Sequence, residues 1–96
     1  MTPLTLTTTT DPQGRPVLKV AGEIDLSNTA TFETALAQNK GPLVVDLTEV
    51  HYIDSAGMSV LFTHAERVEV VATSLLVPLL EMSGLTSMAT VRGVES

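Results

Sequence analysis

Leu43-Val44-Val45-Asp46-Leu47 is an almost continuous apolar run, and it narrows what this chain can become. A strand without alternation fits the centre of a sheet, buried on both faces, as in parallel or mixed sheets covered by helices. The flanking sequence must therefore supply further strands and helices. Leu4 and Leu6 alternate with threonines as a half-buried strand does, and Thr7 to Thr10 suits that strand's solvated face because Thr is β-branched. Asp11-Pro12-Gln13-Gly14 is a turn signal, since Pro presets φ and Gly accepts φ > 0. Val17 to Ala21 then reads as a second strand folding back as a hairpin, ended by Gly22-Glu23-Ile24-Asp25.

Ser27 or Asn28 offers an N-cap for a helix over Thr29 to Gln38, with Phe32, Ala35 and Leu36 on one stripe. Asn39-Lys40-Gly41-Pro42 stops it with a cation, Gly and Pro in the usual order. After the central run, Thr48 to Asp54 reads as a polar connection around Val50, Tyr52 and Ile53. Ala56 to Ala65 is a second helix by the spacing of Met58, Leu61, Phe62 and Ala65. Val68 to Ala72 is a fourth strand, and Leu75 to Ser83 a third helix closed by Gly84 at C′. Pro78 is tolerated there only in the first turn, where amide hydrogens lack intrahelical partners. Met88 to Val91 gives a short last strand. The order predicts a mixed sheet with right-handed crossovers. No repeat or linker divides the chain, so residues 1–96 are expected to form one domain with its core over about 4–91.

Composition removes several function classes. The 5 Lys+Arg are scattered against 11 Asp+Glu, a net charge of −6, so the clustered basic footprint of nucleic-acid binding or a polybasic membrane anchor is missing. The apolar stretch Val70 to Leu80 is broken by Thr73, Ser74 and Pro78 and falls short of the roughly 20 residues that cross a bilayer. The start, MTPLTLTTTT, has neither a basic n-region nor an apolar h-region, so a cytoplasmic location is expected. Without Cys there is no disulfide, thiolate metal site or cysteine nucleophile. With 3% aromatics and no Trp, the core must rest on Leu, Val, Ala and Met.

The densest chemistry lies in His51-Tyr52-Ile53-Asp54-Ser55-Ala56-Gly57. A hydrolytic reading makes Ser55 the nucleophile with Asp54 and His64 as partners. The nucleophile elbow, however, needs Gly two residues before the serine, where this chain has Ile53. His64 would sit about 13 Å along the same helix, beyond direct proton transfer. No catalytic residue is therefore assigned. His51 and Asp54 lack a third ligand, and no phosphate-binding Gly-rich loop occurs, so neither metal nor cofactor is expected. Asp54-Ser55 reads first as a helix N-cap, worth about 1 kcal/mol. The same position has a second use. A phosphoryl group on Ser55 would meet free amides and the positive dipole end, while its charge of about −1.5 to −2 would repel a docked partner beside Asp54. Such a switch acts on binding rather than folding.

Gly22-Glu23-Ile24-Asp25, Val45-Asp46-Leu47-Thr48, Asp54-Ser55-Ala56-Gly57-Met58 and Leu80-Glu81-Met82-Ser83-Gly84-Leu85 together resemble the STAS domain, and more narrowly the bacterial anti-anti-sigma factors (anti-sigma factor antagonists). The match runs over about residues 4 to 91. It implies an α/β STAS-like fold, a mixed four- to five-stranded β-sheet with about three α-helices packed mainly on one face. It also implies a cytosolic protein-binding module without catalytic activity or cofactor. The implied partner is an anti-sigma factor that is also a serine kinase; it phosphorylates Ser55 and so loses its hold, and a phosphatase restores binding. The implied partner surface takes in Glu23, Asp25, Asp54, Ser55, Ala56, Gly57 and Met58. An alternative within the same family is a STAS subunit that binds the ATPase of a lipid-transport ABC complex.

Three departures stand out. Ala56 replaces a second serine common in the family, and the stretch from Leu61 to Val68 is short, so the second helix is expected to be truncated. The third helix, basic in many members, is apolar on most sides here, with Leu75, Leu76, Val77, Leu79, Leu80 and Met82. Such a helix is either deeply buried or exposes a patch that marks an interface, a homodimer among the candidates.

Overall fold

The structure is a computed structural model that describes residues 3–39 and 41–94. Strand β1 (Thr5–Thr10) pairs antiparallel with β2 (Pro16–Ile24), Thr5 facing Ala21 and Thr10 facing Pro16. The expected turn closes this hairpin. Asp11 Oδ1 accepts the amides of Gln13 and Arg15, and the Arg15 Nε donates to Asp11 Oδ2 at 2.6 Å.

From β2 the chain alternates helix and strand: α1 (Thr29–Gln38), β3 (Leu43–Ile53), α2 (Ser55–Thr63), β4 (Val68–Thr73), α3 (Val77–Met82) and β5 (Thr90–Val94). Short 3-10 turns at Ala65–Arg67 and Leu85–Ser87 lead into β4 and β5. The sheet order is β1-β2-β3-β4-β5, parallel from β2 onward. Because each crossover adds the next strand on the same side and crossovers are right-handed, all three helices fall on one face. There Phe32, Leu36, Leu61, Leu80 and Leu85 close over Leu18, Val20, Val45, Leu47 and Val70, all essentially inaccessible. Phe32 is the one aromatic in a core otherwise aliphatic.

The central run is buried on both faces, but helices cover only one. On the other, Val17, Val44 and Val71 lie side by side on adjacent strands, and Val94 of β5 packs against them. Long charged side chains cross this open face: Lys19 pairs with Glu49, and Arg15 and Arg92 both reach Glu69. Their stems cover apolar surface while the charged ends stay wet.

Several boundaries differ from the sequence reading. β2 does not end at Ala21 but runs through Gly22-Glu23 to Ile24, which is fully buried. Of the supposed polar connection Thr48 to Asp54, all but Asp54 is the second half of β3, paired with β2 as far as Ile53 opposite Ile24. Register shifts between Lys19 and Ala21 and between Gly22 and Glu23 break the alternation that would have announced it, with Gly22 at φ 101° between them. α2 runs from Ser55 to Thr63, one residue earlier at its start than expected, and Ala65 falls in the 3-10 turn that follows. α3 covers only Val77–Met82; Leu75 and Leu76 belong to the turn before it, and Pro78 sits in its first turn as required. Gly84 takes the left-handed position after it, at φ 89°. The last strand lies two to three residues later than Met88 to Val91.

α1 keeps its expected bounds, but not its expected N-cap bond. Asn28 occupies the N-cap position, yet its side chain bonds no helix amide; it donates to Glu23 O at 2.8 Å and accepts from the Asp25 amide at 3.0 Å. Lys40, the expected cation after the helix, lies outside the described residues. Among the described residues Arg67 reaches the carbonyls here, its guanidinium donating to Leu36, Asn39 and Gly41. A positive charge there is favoured by the helix dipole.

Candidate functional site

At the C-terminal ends of β2 and β3 two loops meet, and Asp54 ties them together. It leaves β3 in extended backbone and caps α2, its Oδ1 accepting from the Gly57 amide at 3.0 Å. Its Oδ2 accepts the amide of Leu26, from the β2–α1 loop, at 3.1 Å, and its own amide donates to Ile24 O at 3.1 Å. One carboxylate thus fixes the start of α2 and the neighbouring loop. The loop has its own brace, where Asp25 Oδ1 accepts the amide of Ser27 at 2.9 Å and also its hydroxyl.

The start of α2 lies hard against the strands. A Cβ on Gly57 would come within 2.6 Å of Ile24 Cγ2 and 2.9 Å of Ile53 Cγ1, so only glycine allows this approach. Gly57 and Met58 are buried, whereas Ser55 is exposed as the first residue of the helix. Glu23, Asp25, Asp54 and Ala56 are half-buried around it. The structure therefore brings the seven sequence-selected residues to one end of the sheet, with Ser55 the accessible hydroxyl and Gly57 and Met58 its foundation.

Beside Ser55 runs a groove of about 370 Å³ between α2 and α3. Ser55, Met58, Ser59 and Phe62 line it from α2, spaced along a single helix stripe, and Leu79 and Ser83 from the other wall, with Ile53 and Asp54 at one end. Sequence reasoning placed Ser55 and Met58 at the site but missed Ser59, Phe62, Leu79 and Ser83 as its neighbours. The available signal was the apolar third helix. It is not deeply buried: Leu76 and Leu80 face the core, while Leu75, Leu79 and Met82 are 83%, 42% and 85% exposed.

His64, weighed as a base for Ser55, is engaged elsewhere. Its Nε2 lies 3.0 Å from both carboxylate oxygens of Glu33, and its Nδ1 lies 2.9 Å from the Arg67 guanidinium. A guanidinium only donates, so Nδ1 accepts there and the Nε2 proton is left for Glu33. The array braces α1 against the end of α2. Among the described residues no three His, Cys, Asp or Glu side chains are placed to hold a metal ion, and no helix is long and apolar enough to cross a membrane.

The fold and the capped serine together define the α/β class of the STAS domain. The chain belongs to that family, whose model, described as "Mlab, STAS domain", matches residues 7–95. Among curated proteins it is similar to the anti-sigma-F factor antagonist RsfB of Mycobacterium tuberculosis, 37% identical over 65 residues. That segment covers 64% of this chain and 53% of the relative, so the chain spans about half the length of the curated relatives it matches. Among solved structures it resembles an anti-sigma factor antagonist from Mycobacterium paratuberculosis, with a TM-score of 0.80 and 25% identity over 94% of this chain and 86% of that one. A putative anti-sigma factor antagonist from Thermotoga maritima shares the fold, with a TM-score of 0.70 at 14% identity over 93% and 86% of the two chains.

Proposed function

We propose that this chain is an anti-sigma factor antagonist, a protein-binding switch that sequesters an anti-sigma factor with serine-kinase activity. Phosphorylation of Ser55 by that partner ends the complex, and a phosphatase resets it. The observation that carries this reading is the placement of Ser55: exposed, first in α2, beside the Asp54 cap and at the rim of an open groove. Phosphate added there projects outward into the docking face, and the folded core beneath need not move. Glu23, Asp25 and Ala56 flank the serine as contact surface, while Gly57 and Met58 set its height above the sheet. The similarity to anti-sigma factor antagonists supports the same reading. With His64 engaged by Glu33 and Arg67, the module acts by binding rather than by catalysis, in the cytoplasm where sigma factors work.

The test is phosphorylation in vitro by the kinase-type anti-sigma factor encoded in the same genome, with ATP and site localisation by mass spectrometry. Phosphate is expected on Ser55. No modification there, together with unchanged binding by Ser55→Asp, overturns the proposal. A second reading, the STAS subunit of a lipid-transport ABC complex, draws on the exposed apolar side of α3. Co-purification with an ATPase in place of a sigma regulator would favour it.

A further inference from the structure

The β2–α1 loop spends its polar groups on itself. Asp25 Oδ1 accepts the Ser27 amide and hydroxyl, and the Asn28 side chain donates to Glu23 O and accepts from the Asp25 amide. The Asn28 amide donates back to Asp25 O at 3.0 Å, and the Leu26 amide donates to Asp54 Oδ2 at 3.1 Å. The side chain that takes no part in these bonds is Leu26, which stands 79% exposed. A lone exposed leucine is ordinary on a protein surface. This one differs in what holds it. An apolar side chain on backbone already ordered gives up less entropy when a partner closes on it. Its position differs too, since the Asp54 that ties the Leu26 amide is also the cap of α2 and the residue before Ser55.

We infer that Leu26 is a recognition anchor for the partner that docks on Ser55, its side chain entering an apolar pocket of that partner, with Asp25, Asn28 and Asp54 as the positioning residues that present it. Proximity selects the occupant. A protein that covers the Ser55 hydroxyl, as a kinase must, reaches across Asp54 onto the loop bonded to it. Covering the loop also costs little, because Asp25, Ser27 and Asn28 already have partners within it and are not left with unmade hydrogen bonds. Sequence reasoning took Glu23 and Asp25 from this loop by their charge and passed over Leu26. The inference rests on the proposed function for the identity of the partner. To that reading it adds the residue that supplies affinity, separate from the serine that switches it.

The test measures affinity and turnover separately. The kinase-type anti-sigma factor is titrated by calorimetry against the wild type, Leu26→Ser, Leu26→Met, Asn28→Ala, the Leu26→Ser/Asn28→Ala double variant, Ser55→Asp and Met88→Ser, each with its thermal unfolding midpoint. Met88 is the control, an exposed apolar side chain just before β5 and so at the opposite end of the parallel strands from Ser55. Leu26→Ser is expected to lose at least about tenfold in affinity at an unchanged midpoint, as truncated anchors do, while Leu26→Met and Met88→Ser stay within about threefold of wild type. Asn28→Ala weakens binding only where Leu26 is present, so the double variant binds no worse than Leu26→Ser. In phosphorylation of Ser55, Leu26→Ser raises KM and leaves kcat unchanged, because the contact is the same before and during transfer. Wild-type affinity in Leu26→Ser, with Ser55→Asp still disruptive, overturns the inference and leaves the switch standing. An equal loss in Met88→Ser, or a lowered midpoint in Leu26→Ser, overturns it as well. No binding by the wild type overturns the proposed function and this inference with it.

Discussion

Asp54 carries more of the site than the serine beside it. Its carboxylate accepts amides from α2 and from the β2–α1 loop, so Asp54→Ala removes a helix cap and unties a loop in one step. A loss of about 1–2 kcal/mol is expected in urea unfolding, at the upper end for caps because a second bond goes with it. Gly57→Ala is expected to cost about 1–3 kcal/mol by the same measurement, since its methyl group would overlap Ile24 and Ile53. A cost near zero would mean that α2 lifts freely from the strands. Asp11 carries a pH signature. Partial burial opposes its ionisation, but the Arg15 amide, the Arg15 guanidinium and the Gln13 amide outweigh this and hold its carboxyl below the ordinary value of 3.8. A carboxyl depressed in the native state stabilises above its unfolded value and loses that contribution as the pH falls through the native one. The stability difference between wild type and Asp11→Asn is therefore expected near neutral pH and should fade below pH 3.8. A constant difference across that range contradicts the assignment.

At the scale of elements, what the sequence revealed followed from periodicity, and what it hid followed from pairing. Thr29 to Gln38 kept its bounds because a one-sided apolar stripe defines it without help from the rest of the molecule. The second half of β3 was concealed because Glu49, His51 and Tyr52 are exposed, and because shifted register against β2 breaks the period-2 pattern. β4 pairs with β3 only over Leu43 to Asp46, so the rest of β3 is an edge and tolerates polar residues. The site was legible to the extent that it is local: Asp54, Ser55 and Gly57 lie within four residues of one another. Its groove was not, because Phe62 and Leu79 meet only through the fold. α3 shows the same limit. Its sequence is apolar on most sides, and only packing separates Leu80, fully buried, from Met82 at 85% exposure. Leu80→Ala is expected to cost about 2–5 kcal/mol in thermal or urea unfolding, as buried leucine truncations do. Met82→Ser is expected to stay within about 0.5 kcal/mol of wild type, as surface changes do. A large loss at Met82 would place it in the core.

On the scale of the whole molecule, the net charge of −6 is not spread evenly. The basic side chains are held by ion pairs on the open sheet face or by carbonyls at the end of α1, whereas Glu23, Asp25 and Asp54 near Ser55 form no ion pair among the described residues. A partner approaching that end meets one sign of charge, so its association should weaken with rising salt. Phosphate on Ser55 adds charge of the same sign as Asp54 at the point of contact. The most direct measurement is the affinity of the kinase-type anti-sigma factor for four forms of this chain: wild type, Ser55→Ala, Ser55→Asp and the Ser55-phosphorylated protein. The switch predicts that wild type and Ser55→Ala bind alike and that Ser55→Asp and the phosphoprotein lose binding while keeping wild-type unfolding midpoints. Undiminished binding by the phosphoprotein would contradict it.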